Sequence, residues 1–231
     1  ARVMASGLAS GPLAQLGPQW GAIFARATAE YRAAQALSAD LPSAHLNLAV
    51  LADDLGEAEE AEREYTLALE QDPRFLPARF NLATFLNKQG RNRGALAVLE
   101  KGLELAPDEG ELYYSLGLLR AEMGELDSAA DALLAAAARL TGRRGVHRNA
   151  GLALQRAGRL AEAESILEDG ARLHPDDPEL QHALAYVYAA AGDGARALEH
   201  AARLKELAPD SPDPEELVRQ MEAELADEEP R

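Results

Sequence analysis

The stretch SAHLNLAVLADDLGEAEEAEREYTLALEQDP, residues 43–73, decides the fold of this chain. Apolar residues recur in it at helical spacing before and after Gly56, which predicts two amphipathic helices joined by a tight turn. Glycine just past a helix end supplies the left-handed backbone that closes the helix. Pro73 follows the second helix and stops it. The stretch therefore predicts one helix–turn–helix hairpin.

The hairpin pattern recurs every 34 residues along the chain. Glycines mark the turn, and alanines lie five residues further on, where two helices cross too closely for a larger side chain. Prolines form a third series, which is broken only at Thr141. The three series are Gly56, Gly90, Gly124, Gly158 and Gly192; Ala61, Ala95, Ala129, Ala163 and Ala197; and Pro73, Pro107, Pro175 and Pro209.

These series resemble the tetratricopeptide repeat (TPR), a 34-residue helical hairpin with small residues and a terminal proline at fixed places. The resemblance implies an all-α fold, a right-handed α-solenoid of TPR helix-turn-helix hairpins. It predicts five tandem repeats, at 42–75, 76–109, 110–143, 144–177 and 178–211. The opening aromatic of the pattern is the main departure, since this position holds His45, Arg79, Tyr113, His147 and Gln181. We expect His45 and His147 to be packing residues.

The two ends differ from the repeats. Residues 1–41 predict an N-terminal helical segment and a partial repeat, in which Ala27, Tyr31 and Ala34 fit the second helix of a hairpin. Residues 212–231 predict a capping helix and a frayed tail, because Pro214 fits a first helical position and a solenoid needs a polar cover on its last hairpin. The apolar stripe of that helix is Leu217, Val218, Met221 and Leu225.

Composition narrows the classes of partner. The 231 residues are 47% hydrophobic and 27% charged, which is typical of a folded chain, and the formal net charge is −16. An acidic surface repels phosphate backbones, so nucleic acid is not an expected partner. The absence of cysteine excludes disulfides and thiolate zinc sites. No apolar run reaches the ~18 residues of a membrane helix, so membrane insertion is not expected.

No arrangement typical of catalysis occurs in the sequence. The five histidines lack the spacing of a zinc protease helix, and no G-x-S-x-G nucleophile motif occurs. The fragment TGRRG, residues 141–145, lacks the spacing of a phosphate-binding loop and is interpreted as a turn between repeats. We therefore expect neither an enzyme, nor a metal site, nor a cofactor.

In the TPR family the first helix of each hairpin lines the concave face, which implies a groove for a protein or extended peptide. Asn47, Asn81 and Asn149 share the sixth position of their repeats. A carboxamide both donates and accepts, so it can bind a peptide backbone, although such an Asn can equally be a solvated groove residue. Arg148 and Arg156 favour an acidic ligand. The candidate partner-binding residues are Asn47, Phe80, Asn81, Lys88, Tyr114, Arg148, Asn149, Arg156, His182 and Tyr186.

A weaker resemblance rests on EYRAAQALSADLPSAHLNLAVL, residues 30–51, and DPRFLPARFNLATFLNKQGR, residues 72–91. They are similar to the C-terminal TPR region of bacterial multihaem c-type cytochrome proteins. This implies a non-catalytic accessory arm of a larger exported redox protein, with an upstream domain of its own parent chain as partner. The chain would then be periplasmic or exported, and otherwise cytoplasmic. It starts ARVMASG, without an initiator Met or a signal segment, so we expect a piece of a longer protein.

Overall fold

The computed structural model describes residues 18–38 and 40–228, and this part of the chain contains twelve helices and no strand. The predicted all-α class is confirmed. The helices are α1 (Pro18–Ala36), α2 (Pro42–Leu55), α3 (Ala58–Gln71), α4 (Leu76–Lys88), α5 (Asn92–Leu105), α6 (Gly110–Glu122), α7 (Leu126–Arg139), α8 (Val146–Arg156), α9 (Leu160–Leu173), α10 (Pro178–Ala190), α11 (Gly194–Leu207) and α12 (Pro214–Glu228).

Ten of these helices pair in sequence into five hairpins, α2 with α3, α4 with α5, α6 with α7, α8 with α9, and α10 with α11. The earlier member of each pair is called the first helix here, and the later member the second helix. The chain divides into two compact units, residues 1–107 and residues 108–231. Unit 1 contains α1 to α5, and unit 2 contains α6 to α12.

The glycine series closes the first helix of every hairpin as predicted. All five glycines have left-handed backbones, with φ from 71° at Gly90 to 77° at Gly124. At Gly56 the backbone N–H donates to the Asp53 carbonyl, and the N–H of Glu57 donates to the Ala52 carbonyl. These bonds satisfy carbonyls that the helix end would otherwise leave open.

The alanine series lies at the helix crossings. Ala61, Ala95, Ala129, Ala163 and Ala197 are all 0% exposed. Ala27, which is in register with them, is exposed on α1. Of residues 8–19, which would hold the first helix of the partial repeat, those up to residue 17 lie outside the described residues.

Each unit has its own apolar core. In unit 1, Phe85 and Tyr65 pack with their ring centroids 5.8 Å apart, and Leu99 is 2% exposed. In unit 2, buried leucine and valine side chains from α7 to α11 form one cluster with Tyr188. Met221 and its neighbours on α12 join the same cluster, so α12 covers α10 and α11 as the sequence predicts.

The break in the proline series changes one connection. Residues 141–145 form a turn, as interpreted from the sequence, and Gly145 has φ of 82°. Because this turn extends past the start of the predicted repeat at 144, α8 begins at Val146. The turn also places Arg143 beside α6, where its guanidinium lies 4.1 Å from the centre of the Tyr114 ring and forms an ion pair with Glu111.

Candidate functional site

All ten candidate residues lie on first helices, but in two separate units. Asn47 lies on α2, and Phe80, Asn81 and Lys88 lie on α4 of unit 1. The others belong to unit 2, with Tyr114 on α6, Arg148, Asn149 and Arg156 on α8, and His182 and Tyr186 on α10.

Unit 2 brings three of the candidates together around one cavity. Arg148, Asn149 and His182 line a space of about 570 Å³. Its apolar wall comes from Leu152 and Ala183 on the same two helices, and from residues nearer the C-terminus. The remaining lining residues are Pro178, Glu179, Leu204, Ser211, Pro212 and Leu217.

A chain of polar contacts links three successive first helices at this cavity. The Asn149 Nδ2 group donates to the Tyr114 hydroxyl over 2.6 Å. The Arg148 Nε–H donates to Asn149 Oδ1 over 3.3 Å, and Arg148 forms an ion pair with Glu179 of α10. Sequence reasoning treated Asn149 as an open groove amide, whereas the structure shows that it joins α6 to α8.

These contacts leave Asn149 part of its binding capacity. A carboxamide has two N–H donors and two acceptor lone pairs, and these two bonds use one of each. The Arg148 side chain is 28% exposed and Glu179 is 65% exposed, so their ion pair is open to water. An exposed pair of this kind contributes little, about 0–1 kcal/mol. A ligand carboxylate can therefore replace Glu179 at little cost.

Other candidate residues lie away from this cavity. Arg156 is exposed in the last turn of α8, and eight residues of helix place it about 12 Å along the axis from Arg148. Tyr186 is half-buried and packs against the unit 2 core. Arg148 and Arg156, which the sequence suggested would together favour an acidic ligand, are therefore two separate positions.

Unit 1 arranges its candidate residues differently. The Asn47 Nδ2 group donates to Gln35 Oε1 of α1 over 3.2 Å, so the preceding helix already engages this amide. Lys88 is exposed, with its Nζ 3.4 Å from Asp53 Oδ2. Phe80 and Asn81 are half-buried on α4. The asparagine series is therefore not one set of equivalent sites.

Sequence reasoning missed the contribution of the C-terminal helix to the cavity. Leu217 of α12 is 6% exposed and lines the space with Pro212 and Ser211. Leu217 lies 34 residues after Ala183 and 68 after Asn149, so it shares their register. The repeat spacing could have identified it, but an apolar residue at this position is equally typical of core packing.

Across residues 18–38 and 40–228, no three histidine or carboxylate side chains come close enough together to hold a metal ion. No described helix has the length and apolar character that crossing a bilayer requires.

Family models match most of the helical repeat region. A model described as a tetratricopeptide repeat matches residues 62–117 and 154–221, and another of the same description matches residues 42–65. The chain is also 32% identical over 164 residues to cellulose synthase operon protein C of Xanthomonas axonopodis pv. citri (strain 306). That match covers 65% of this chain and 11% of the relative, so the chain spans a small part of that protein.

Solved structures show the same fold. YrrB, described as a TPR protein with an unusual peptide-binding site, superposes with a TM-score of 0.64 over 84% of this chain and 97% of its own, at 21% identity. MamA from Desulfovibrio magneticus RS-1 gives 0.62 over 74% of this chain and 97% of its own, at 20% identity. At these identities the likeness shows the fold alone. The resemblance to multihaem cytochromes is not shown by these matches and stays a prediction.

Proposed function

Because this chain belongs to the tetratricopeptide repeat family, we propose that it is a non-catalytic scaffold that binds an extended segment of a partner protein on its first helices. The cavity of unit 2 is the observation that carries the proposal. It combines an apolar wall with the spare donor and acceptor of the Asn149 amide and with the Arg148 guanidinium, whose partner Glu179 a ligand carboxylate can replace. A peptide segment needs groups of these kinds. YrrB, which shares the fold, is described as peptide-binding, and this also supports the proposal.

The chemistry of the cavity favours a particular kind of segment. Leu152, Leu204 and Leu217 offer contact to an apolar side chain. Asn149 offers a donor and an acceptor to the peptide backbone. Arg148 favours a carboxylate on the ligand, which takes the place of Glu179. The proposed ligand is therefore an extended segment with an apolar residue close to an acidic one.

A second candidate function follows from the longer relative. The 164 matched residues correspond to 11% of that protein, which favours an accessory role inside a larger parent chain. In that case the bound segment comes from another domain of the same parent. The predicted link to an exported multihaem protein belongs to this candidate, and upstream C-x-x-C-H motifs in the full-length gene would support it.

Calorimetry on a partner captured with the intact chain tests the proposal. Asn149→Ala is expected to weaken binding about tenfold, because peptide groups left unpaired in a partly dry groove cost roughly 1–3 kcal/mol. Arg148→Ala is expected to weaken binding more at low salt than at high salt if the segment is acidic.

The matched control alters arginines on second helices. Arg172 and Arg203 are exposed on α9 and α11 and pair only with neighbours three residues away among the described contacts. Arg172→Ala and Arg203→Ala, each made alone, remove the same charge as Arg148→Ala, and each is expected to leave affinity unchanged. If both groove variants bind as tightly as wild type, the first-helix face is not the binding surface.

A further inference from the structure

In two hairpins the side chain at the opening position contacts a side chain on the second helix, 19 positions later in sequence. In the first hairpin, His45 Nδ1 lies 2.7 Å from Glu64 Oε2. In the fifth, Gln181 Oε1 lies 2.9 Å from His200 Nδ1. In both hairpins a polar side chain that packs between the two helices therefore has a polar partner on the opposite helix.

Two hairpins carry a polar opening residue without that partner. Position 98 is Val and position 166 is Ile, so neither second helix offers a polar side chain there. Arg79 Nε and His147 Nδ1 are correspondingly buried without a hydrogen bond. His147 can remain neutral, and burial holds its pKa below the usual value. Arginine cannot lose its proton in a protein, so Arg79 keeps a buried positive charge.

The guanidinium of Arg79 is only partly satisfied. The residue is 4% exposed, and its Nη1 group donates to the Val98 carbonyl over 2.8 Å while its Nη2 group donates to the Pro73 carbonyl. No carboxylate within the described residues forms an ion pair with it. The guanidinium has five N–H donors but, in the part of the chain that the structure describes, only these two hydrogen-bond partners, and its charge has no counter-ion there. Burying it therefore costs free energy.

Arg79 also forms part of the wall of an open cleft between the second helices α3 and α5. The cleft has a volume of about 400 Å³, and most of its lining residues are apolar. Thr66, Glu70 and Lys101 also line it. The Lys101 Nζ group already donates a hydrogen bond to the Glu104 carboxylate. The apolar lining residues are Leu69, Pro73, Leu82, Ala97, Val98 and Leu105. Arg79 is therefore a buried cation in the wall of a mostly apolar, solvent-connected cleft.

We propose that this cleft of unit 1 anchors the free carboxylate of a partner polypeptide that ends in an apolar residue. The carboxylate binds Arg79, and the terminal side chain lies against the leucines and Val98. A chain end fits better than an internal segment, because a through-running backbone would bring amide groups that the apolar walls cannot satisfy. This cleft shares no lining residue with the cavity of the proposed function.

Small probes of defined charge test the site directly. Titration of the isotope-labelled chain with N-acetyl-leucine is expected to shift the backbone amide signals of Val98, Leu82 and Leu105 saturably in a nitrogen–proton NMR spectrum. N-acetyl-leucinamide has the same side chain without the charge and is expected to bind at least tenfold more weakly. Equal shifts from the acid and the amide, or no saturable shift from either, would overturn the proposal.

Two further probes define the source of the carboxylate. Acetyl-Ala-Leu-Leu with a free C-terminus is expected to bind more tightly than N-acetyl-leucine, and its C-terminal amide is expected to bind no better than N-acetyl-leucinamide. Octanoate tests a fatty acid as the occupant. If octanoate binds more tightly than the free-acid peptide, the polypeptide occupant is wrong.

Variants at two positions separate charge from shape. Arg79→Gln removes the charge and introduces the residue that the fifth hairpin has at the same position, Gln181. It is expected to abolish the preference for N-acetyl-leucine over N-acetyl-leucinamide. Val98→Glu supplies an internal carboxylate as Glu64 does for His45, so it is expected to raise the melting temperature and block N-acetyl-leucine.

Val98→Gln has the size of the Glu variant without its charge and is expected to retain binding of the acid. Undiminished acid binding by Val98→Glu would contradict the proposal even if Arg79→Gln did not fold. Loss of acid binding in Val98→Gln as well as in Val98→Glu would also contradict it, because shape and not charge would then decide binding.

Discussion

Met221→Asp is expected to lower the free energy of unfolding by about 3–5 kcal/mol, the largest effect of any substitution considered. Met221 is 2% exposed on α12 and belongs to the core cluster of unit 2 together with Leu217 and Val218. The substitution removes a buried apolar side chain, worth roughly 1.5–3 kcal/mol. It also places a carboxylate where no partner awaits it, which adds roughly 1–3 kcal/mol.

Urea denaturation followed by circular dichroism measures this effect. Gln220→Asp introduces the same carboxylate one residue earlier on the exposed side of α12 and is expected to change stability by no more than about 0.5 kcal/mol. Equal stability of the two variants would mean that α12 does not cover the last hairpin. The cavity would then lose the wall that Leu217 provides.

Gly151→Ala is expected to destabilise unit 2 by about 2 kcal/mol, although alanine is the better helix former. A Cβ atom at Gly151 would lie 2.4 Å from Leu167 Cγ and 2.6 Å from its Cδ2, and Leu167 is 0% exposed. A clash with the branch point of a buried side chain requires the two helices to move apart. That cost exceeds the roughly 1 kcal/mol gained in helix propensity.

Gly94→Ala is the matched control for this substitution. Gly94 also lies within a helix, α5, but a Cβ there would lie 3.5 Å from Leu86 Cδ1, an ordinary contact. It is expected to stabilise the chain by up to about 1 kcal/mol through helix propensity alone. Denaturation curves of the two variants should move in opposite directions, and a gain in stability for Gly151→Ala would contradict the close crossing of α8 and α9.

The repeat spacing predicted the hairpins well because each hairpin is built from short-range rules. A left-handed glycine ends a helix and a small residue permits a crossing, and both requirements act on residues close in sequence. Gly56 and Ala61 therefore behave as predicted, with φ of 76° and 0% exposure. The delayed start of α8 at Val146 depends on the same local chemistry, since Thr141 replaces the expected proline and Gly145 adds a left-handed residue.

The candidate site was less predictable because it depends on which side chains pair across helices. The 34-residue repeat register placed Arg148 and Asn149 on a first helix. It could not show that Arg148 forms an ion pair with Glu179 or that the Tyr114 hydroxyl accepts a hydrogen bond from Asn149. Nor did it show that Arg156, on the same helix, lies far from the cavity. These pairings depend on side-chain directions and helix crossings, which a repeating pattern specifies only on average.

Site-directed photo-crosslinking tests the central claim, that a partner segment binds the first-helix face, most directly. A photoreactive amino acid replaces His182, which is exposed at the cavity of unit 2, or Arg172, which is 76% exposed on the second helix α9. The account predicts that the captured partner crosslinks to position 182 and not to position 172, and that excess unlabelled partner suppresses the crosslink. Crosslinking at position 172 without crosslinking at position 182 would contradict it.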